Sequence, residues 1–478
     1  MSTGPLSPPC PAPAVRHKER RRTATCAFGN RVATASVEHY RRIVTKPPPA
    51  TCVATIVCHN AATDKLTVLA MGVGTKFMMD DDVSRLVPYG ERVRDCHAEV
   101  LVRRAWRRYL TNAIQRMERD NESASPCLLL EKLVSSSSKS PTYRLRPGFT
   151  LHFYCSSAPC GNAVIKKFAT FSKEVYDPSL PAHTWPESRH PELGAHSIPL
   201  GQLALLIKQK PSPRAPTHDL TSSATTRPSR PLRYTLTRKQ STWPIYTSVA
   251  WCPPGTTPVW NIPRGAASSH TCSDKLARWH VLGWQGSLLH PFTGRLVPTT
   301  LTIGRKFAAV AAARALCCRT KHHSVKLTGG STSSSEHKHP TLLGTNIYLD
   351  DGAQTVTDTP QRFYDSNAWV SWYNDQEQTV EPRKYDDEPE YTFECIDSYT
   401  GLVAETGVIS AVSTVRLVHD LRRLESSPGP TLHQLRAWKR EVSPVYEQQK
   451  DELLSSQHPV FRDWCRREHD HNGVSKLN

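Results

Sequence analysis

Residues 95–110 constrain this chain's fold more than any other segment. Ala98, Leu101, Val102, Ala105 and Tyr109 recur at helical spacing, which predicts a helix with one apolar face. Asp95 stands where an N-cap would stand. Cys96, His97 and Glu99 crowd into the start of the same segment. Strand-like runs at 51–58 and 66–71 precede it, separated by turn-forming residues 60–64 and followed by a glycine-containing loop at 72–76. A third run, 149–155, leads into Pro159-Cys160-Gly161 and a predicted helix through 171. Strand, turn and helix thus occur twice, each time with a metal-ligating residue type at the helix start. That pattern predicts a layered α/β fold.

Further helices are predicted at 33–44, 273–289, 305–318, 408–424, 431–442 and 446–454, and strands at 368–373 and 391–396. Residues 1–30 are Pro-rich, then basic, and read as a disordered tail ahead of one domain over 31–478. Segments near 112–145, 173–246 and 320–342 read as insertions, because their Ser-, Pro- or His-rich stretches lack the periodic apolar residues of a core. The longest apolar run, 307–318, is broken by Arg314 and is too short to span a bilayer, so no membrane partner is expected.

The chain carries 61 Lys and Arg against 43 Asp and Glu, a formal charge of +18, which favours a polyanionic partner. Its 14 cysteines are irregularly spaced, and residues 1–10 lack the apolar stretch of a secretory signal. This predicts a reducing compartment, cytoplasm or nucleus, in which a few thiols hold metal. Nothing in the sequence calls for an obligate protein partner.

His97-Ala98-Glu99 and Pro159-Cys160 point to a specific chemistry. Hydrolysing an aromatic amine needs water activated at neutral pH and a group that carries protons to the ring and to the departing ammonia. Zinc bound by one His and two Cys meets the first need, and a non-ligating Glu two residues after the His meets the second. His97 and Cys160 are then metal ligands and Glu99 the proton shuttle. The usual second cysteine of a P-C-x-x-C element is missing, because position 163 is alanine. Cys155, Cys252, Cys272, Cys317 and Cys318 are the candidates for the third ligand, and spacing does not choose among them. His270, His322, His323, His337 and His339 read as loop histidines.

Longer blocks make the choice. The run from Asp95 to Arg104 (DCHAEVLVRR), Pro159-Cys160-Gly161 and the run from Thr271 to Trp279 (TCSDKLARW) resemble the three signature blocks of the RNA adenosine deaminases, the ADAR/ADAT family. Gly74-Thr75-Lys76 and the run 281–289 match further. The resemblance implies a cytidine-deaminase-like three-layer α/β/α core with a helical C-terminal elaboration. It implies zinc on His97, Cys160 and Cys272, with Glu99 moving protons. It also implies a buried inositol hexakisphosphate held by Arg103, Arg104, Lys275, Arg278, Trp279, Tyr446, Lys450, Trp464 and Arg467, the last where relatives have Lys. Asp95 and Lys275 would link that ligand to the metal, and Thr75 and Lys76 would approach the target nucleotide's sugar and phosphate. The base-flipping loop is only loosely matched near 260–269, and Leu402 stands where some relatives place a Lys.

The implied reaction is deamination of adenosine to inosine in RNA by a zinc-activated water. Relatives that edit messenger RNA carry double-stranded-RNA-binding domains upstream, and only about 30 residues precede the core here, fewer than such a domain needs. The expected substrate is therefore tRNA, at the adenosine 3′ of the anticodon in tRNA(Ala). Double-stranded or messenger RNA editing, a non-catalytic RNA-binding subunit and cytidine deamination are the rival readings.

Overall fold

The computed structural model describes residues 18–45, 48, 51–77, 90–119, 127–133, 141–160, 163, 271–307, 309–317, 320, 340–349, 367–375, 391–424, 434–455 and 461. In chain order the elements are α1 (Lys18–Ile43), β1 (Val53–Asn60), β2 (Lys65–Val73), β3 (Thr75–Phe77), β4 (Asp95–His97), α2 (Ala98–Arg119), β5 (Leu130–Lys132), β6 (Tyr143–Leu145) and β7 (Phe149–Ser157). There follow α3 (Cys272–Leu282), α4 (His290–Thr293), β8 (Thr300–Arg305), α5 (Ala309–Leu316), β9 (Thr341–Gly344), β10 (Asn367–Tyr373), β11 (Tyr391–Asp397), α6 (Thr414–Leu424), α7 (Leu435–Val442) and α8 (Pro444–Leu453).

A seven-stranded sheet in the order β11-β10-β2-β1-β7-β8-β9 forms the middle layer. Its pairings are antiparallel except for β7–β8 and β8–β9, which are parallel. The strand period of two divides the core. Ala54, Ile56 and Cys58 of β1 and Phe153 and Cys155 of β7 join the apolar face of α2. Val53 and Val57, with Tyr154, instead join Val32, Ala33 and Val37 of α1. One helical layer on each face follows, as the sequence implies. Among the described residues no helix is long and apolar enough to cross a membrane.

Several expected boundaries move. α1 starts at Lys18, so the expected domain start at residue 31 falls inside a helix, and Phe28 packs against the α1-side core. α2 continues to Arg119, and Ala113, Ile114, Cys127, Leu129, Leu130 and Tyr143 belong to the main core. The segment near 112–145 is thus partly core, its apolar residues being carried on a helix end and the β5–β6 hairpin. The segment 173–246 and most of 320–342 lie outside the described residues. The helix expected over 273–289 ends at Leu282, because Gly283 takes φ +94° and any Cβ there would strike the Gln285 side chain. Residue 305 ends a strand rather than opening a helix, and α6 begins only at Thr414.

Candidate active site

The site grows from the junction of β2, β3, β4 and α2. α2 lies so close to β2 that a Cβ on Gly72 would run into the backbone of Ala98 and Val102. Gly74, at φ +150°, has the Cys96 carbonyl where a Cβ would go, and its own carbonyl accepts the Ala98 N–H at 3.0 Å. These two contacts set the height and angle at which α2 starts, and so aim His97 and Glu99.

Cys160 follows β7, and Cys272 is the first residue of α3. Ser273 ties the two together. Its backbone N–H donates to the Cys160 carbonyl at 3.0 Å, and its hydroxyl donates to the same carbonyl at 2.8 Å and to that of Pro159 at 3.2 Å. The Cys272 backbone N–H donates to Cys160 Sγ at 3.2 Å. Thr271 caps α3 by accepting from the Asp274 N–H.

One nitrogen of His97 and the sulfurs of Cys160 and Cys272 lie within 4.8 Å of one another. An imidazole and two thiols so placed are a donor set that Zn²⁺ takes, three protein ligands being one fewer than its usual four. Asp95 Oδ1 sits 2.7 Å from His97 Nδ1, which leaves Nε2 to face the sulfurs. Burial opposes a charge on His97, but the Asp95 carboxylate outweighs it and brings the group to about 9. The other Asp95 oxygen accepts from Lys275 Nζ. Asp95 is thus a strand residue bridging His97 and Lys275, not the expected N-cap of a helix. The hydrogen bond from the Cys272 thiol is the main cause that holds Cys160 down, and the same bond heads the causes that raise Cys272. Glu99 is 6% exposed, and burial raises its carboxyl against the pull of His97 and of the adjacent Cys272.

Behind this cluster, α2, α3 and α8 enclose a basic cradle. The Arg103 guanidinium lies over the Trp279 ring, 4.6 Å from its centroid. Burial lowers Arg103 to about 9 and Arg107 to about 10, and it lowers Arg278 too, with Tyr446 partly opposing each shift. Arg103 Nε, Arg107 Nε and Trp279 Nε1 are buried without a hydrogen-bond partner. Leaving such groups unpaired is costly, so they suit a multiply charged anion. Of the other expected members, Lys275 is on Asp95, Arg104 donates to the Val412 carbonyl at 2.9 Å and Lys450 donates to Glu447. Trp464 and Arg467 lie outside the described residues, as does 260–269. Arg107 was missed in the sequence, although it stands four residues after Arg103 and so shares its helix face.

Thr75 and Lys76 sit in β3, paired with His97 and Cys96 of β4. Both are half-buried.

A mixed sheet covered by helices, with its polar cluster at the first residues of two of them, is the architecture of the deaminase-like α/β class. The chain belongs to the adenosine-deaminase (editase) domain family, whose sequence model matches residues 70–467. Over 297 residues it is 25% identical to a double-stranded RNA-specific adenosine deaminase of Mus musculus, covering 62% of this chain and 21% of that protein. Over 374 residues it is 24% identical to tRNA-specific adenosine deaminase 1 of Homo sapiens, covering 66% and 70%. Over 101 residues it is 31% identical to a double-stranded RNA-specific editase B2 of Mus musculus, covering 21% and 12%. The chain therefore spans well under two thirds of the length of the double-stranded-RNA relatives.

Proposed function

We propose that this chain hydrolyses adenosine to inosine in tRNA, at the adenosine 3′ of the anticodon in tRNA(Ala). The observation that carries the reading is the convergence of His97, Cys160 and Cys272 beside the buried carboxyl of Glu99. Zn²⁺ held by those three residues would supply a water able to attack ring carbon six at neutral pH. Glu99, raised by burial, takes a proton from the water and delivers it to the ring nitrogen, and a second to the departing ammonia. Asp95 keeps the proton of His97 on Nδ1 and orients the ring. Thr75 and Lys76, on the strand beside His97, hold the sugar and phosphate of the target nucleotide. The basic cradle of Arg103, Arg107, Arg278, Trp279 and Tyr446 holds inositol hexakisphosphate, and Lys275 with Asp95 connects it to the metal side. The tRNA assignment draws on the share of each relative that is matched, 70% of the human tRNA-specific protein against 21% of the mouse double-stranded-RNA one.

The test is metal analysis of the purified chain, with mass spectrometry of tRNA(Ala) digested after incubation, and Glu99→Ala as the inactive control. Zinc near one per chain and inosine 3′ of the anticodon support the reading. Unchanged adenosine in tRNA together with inosine in a duplex RNA assigns the activity to double-stranded RNA instead. A wild-type protein that binds RNA and makes no inosine is a non-catalytic binding subunit.

A further inference from the structure

One exposed aromatic ring stands beside β3, the strand that pairs with the strand carrying His97. Tyr399 is 57% exposed, so it contributes little to the core. Its backbone is nevertheless firmly fixed. Asp397 folds the turn, accepting from the Tyr399 N–H at 2.9 Å and from the Thr400 hydroxyl at 3.2 Å, while its carbonyl accepts the Gly401 N–H at 2.7 Å. The turn is docked on the segment that becomes β4. Val93 N–H donates to the Gly401 carbonyl at 2.9 Å, and Arg92 Nη1 donates to the Thr400 carbonyl at 3.2 Å. Gly401, at φ +68°, approaches Val93 so closely that a Cβ would press on its backbone. Val93 is two residues before Asp95. A second link comes from β3, where Lys76 Nζ sits 5.2 Å from the centre of the Tyr399 ring. The turn is therefore tied to the segment leading into β4, and the ring to β3, with a lysine on one part of the ring and solvent on the rest.

An exposed ring on a fixed turn beside a cation is an arrangement on which unstacked bases lie. Every base has a π face, and the neighbouring cation meets the phosphate. A base drawn out of its stack toward a metal leaves its neighbour without a stacking partner. We propose that Tyr399 is a positioning residue that stacks on the unpaired base next to the target nucleotide, while Lys76 meets the phosphate between them. This rests on the proposed action on RNA, yet it can fail separately.

The experiment uses the full zinc-loaded chain and an anticodon hairpin of tRNA(Ala) with 2-aminopurine beside the target adenosine. Fluorescence quenching reports stacking and affinity, and inosine is read by mass spectrometry. Tyr399→Ala and Tyr399→Leu are expected to lose quenching and to raise Kd and KM roughly tenfold, the scale of one base–aromatic stack, with kcat changed much less. Tyr399→Phe and Tyr399→Trp are expected to restore both. Phe393→Ala, which removes an equally exposed ring from β11, is the surface control and is expected to behave as wild type. Wild-type quenching and KM in Tyr399→Ala, or no binding of the hairpin by wild type, overturn the stacking role. Tyr399-dependent binding without inosine leaves the platform standing and removes the deaminase reading.

Discussion

The carboxylate of Asp95 lies 2.7 Å from His97 Nδ1 and also receives the Lys275 ammonium, so one acid in β4 orients a metal-type side chain and neutralises a lysine of α3. Burial disfavours its charge, yet Lys275 and His97 more than compensate and hold the carboxyl well below its ordinary range. Asp95→Asn keeps the shape but brings no charge to meet the Lys275 ammonium and the Nδ1–H of His97. Zinc affinity, read by competition with a chelator, is expected to fall roughly 10- to 100-fold. Unchanged affinity would mean that Asp95 serves folding alone.

Gly72→Ala tests whether the seating of α2 sets the site. The added methyl meets the backbone of Ala98 and Val102, which cannot swing aside as a side-chain tip can. Overpacking of this kind costs about 1–3 kcal/mol, read from the denaturant midpoint, and zinc retention falls with it because His97 and Glu99 ride on the same turn. Gly148→Ala is the contrast. That residue has open space but φ +81°, so it loses about 1 kcal/mol with no loss of zinc.

How far the sequence could be read depends on whether a signal is local. Ala98, Leu101 and Ala105 mark α2 by period alone, and the alternation in β1 divides the two core layers without help from elsewhere. The candidate metal-binding set was locally legible for His97 and Cys160 but not for Cys272, which meets Cys160 through the Ser273 hydrogen bonds from far along the chain. Only family resemblance could select it. Asp95 does accept a backbone N–H, that of His97 at 3.0 Å, but it stands in β4, and its other oxygen receives a distant lysine that no local signature announces. Arg107 and Tyr399 carry no motif, and their significance lies in neighbours that the sequence does not place.

Stability should fall in mild acid because of His39. Arg42 Nη2 donates to its Nδ1 at 2.9 Å, so Nε2 carries the proton and donates to the Ser371 hydroxyl at 2.8 Å. Protonating Nδ1 would set two donors against each other. Burial first, then Arg42, lowers the group to about 3 from an ordinary 6.5. The unfolded chain therefore binds the extra proton between those values. The stability is complete above pH 6.5 and drains away as pH falls toward 3. At pH 5 the loss is about 2 kcal/mol. Urea midpoints at pH 7 and pH 5 should differ less in His39→Gln than in wild type, and equal differences would assign the acid sensitivity to other groups.

The basic cradle makes a prediction whose sign depends on its ligand. Arg103 and Arg107 stand on one helix face, each with a buried Nε lacking a partner, and each is lowered by burial and by guanidinium neighbours. Without an anion, Arg107 is a desolvated charge facing like charges, and replacing such a group with a hydrophobe of similar volume relieves the core. With inositol hexakisphosphate bound, the same guanidinium contributes charge-assisted hydrogen bonds that methionine cannot make. Arg107→Met should therefore raise the thermal midpoint of protein stripped of phosphate and lower that of protein saturated with inositol hexakisphosphate. Saturation at about 100 times Kd should add about 2.7 kcal/mol to wild type and less to the variant. A variant that is destabilised equally in both states would make Arg107 an ordinary packing residue. A wild type that neither releases polyphosphate on denaturation nor gains stability from it would leave the cradle without its anion.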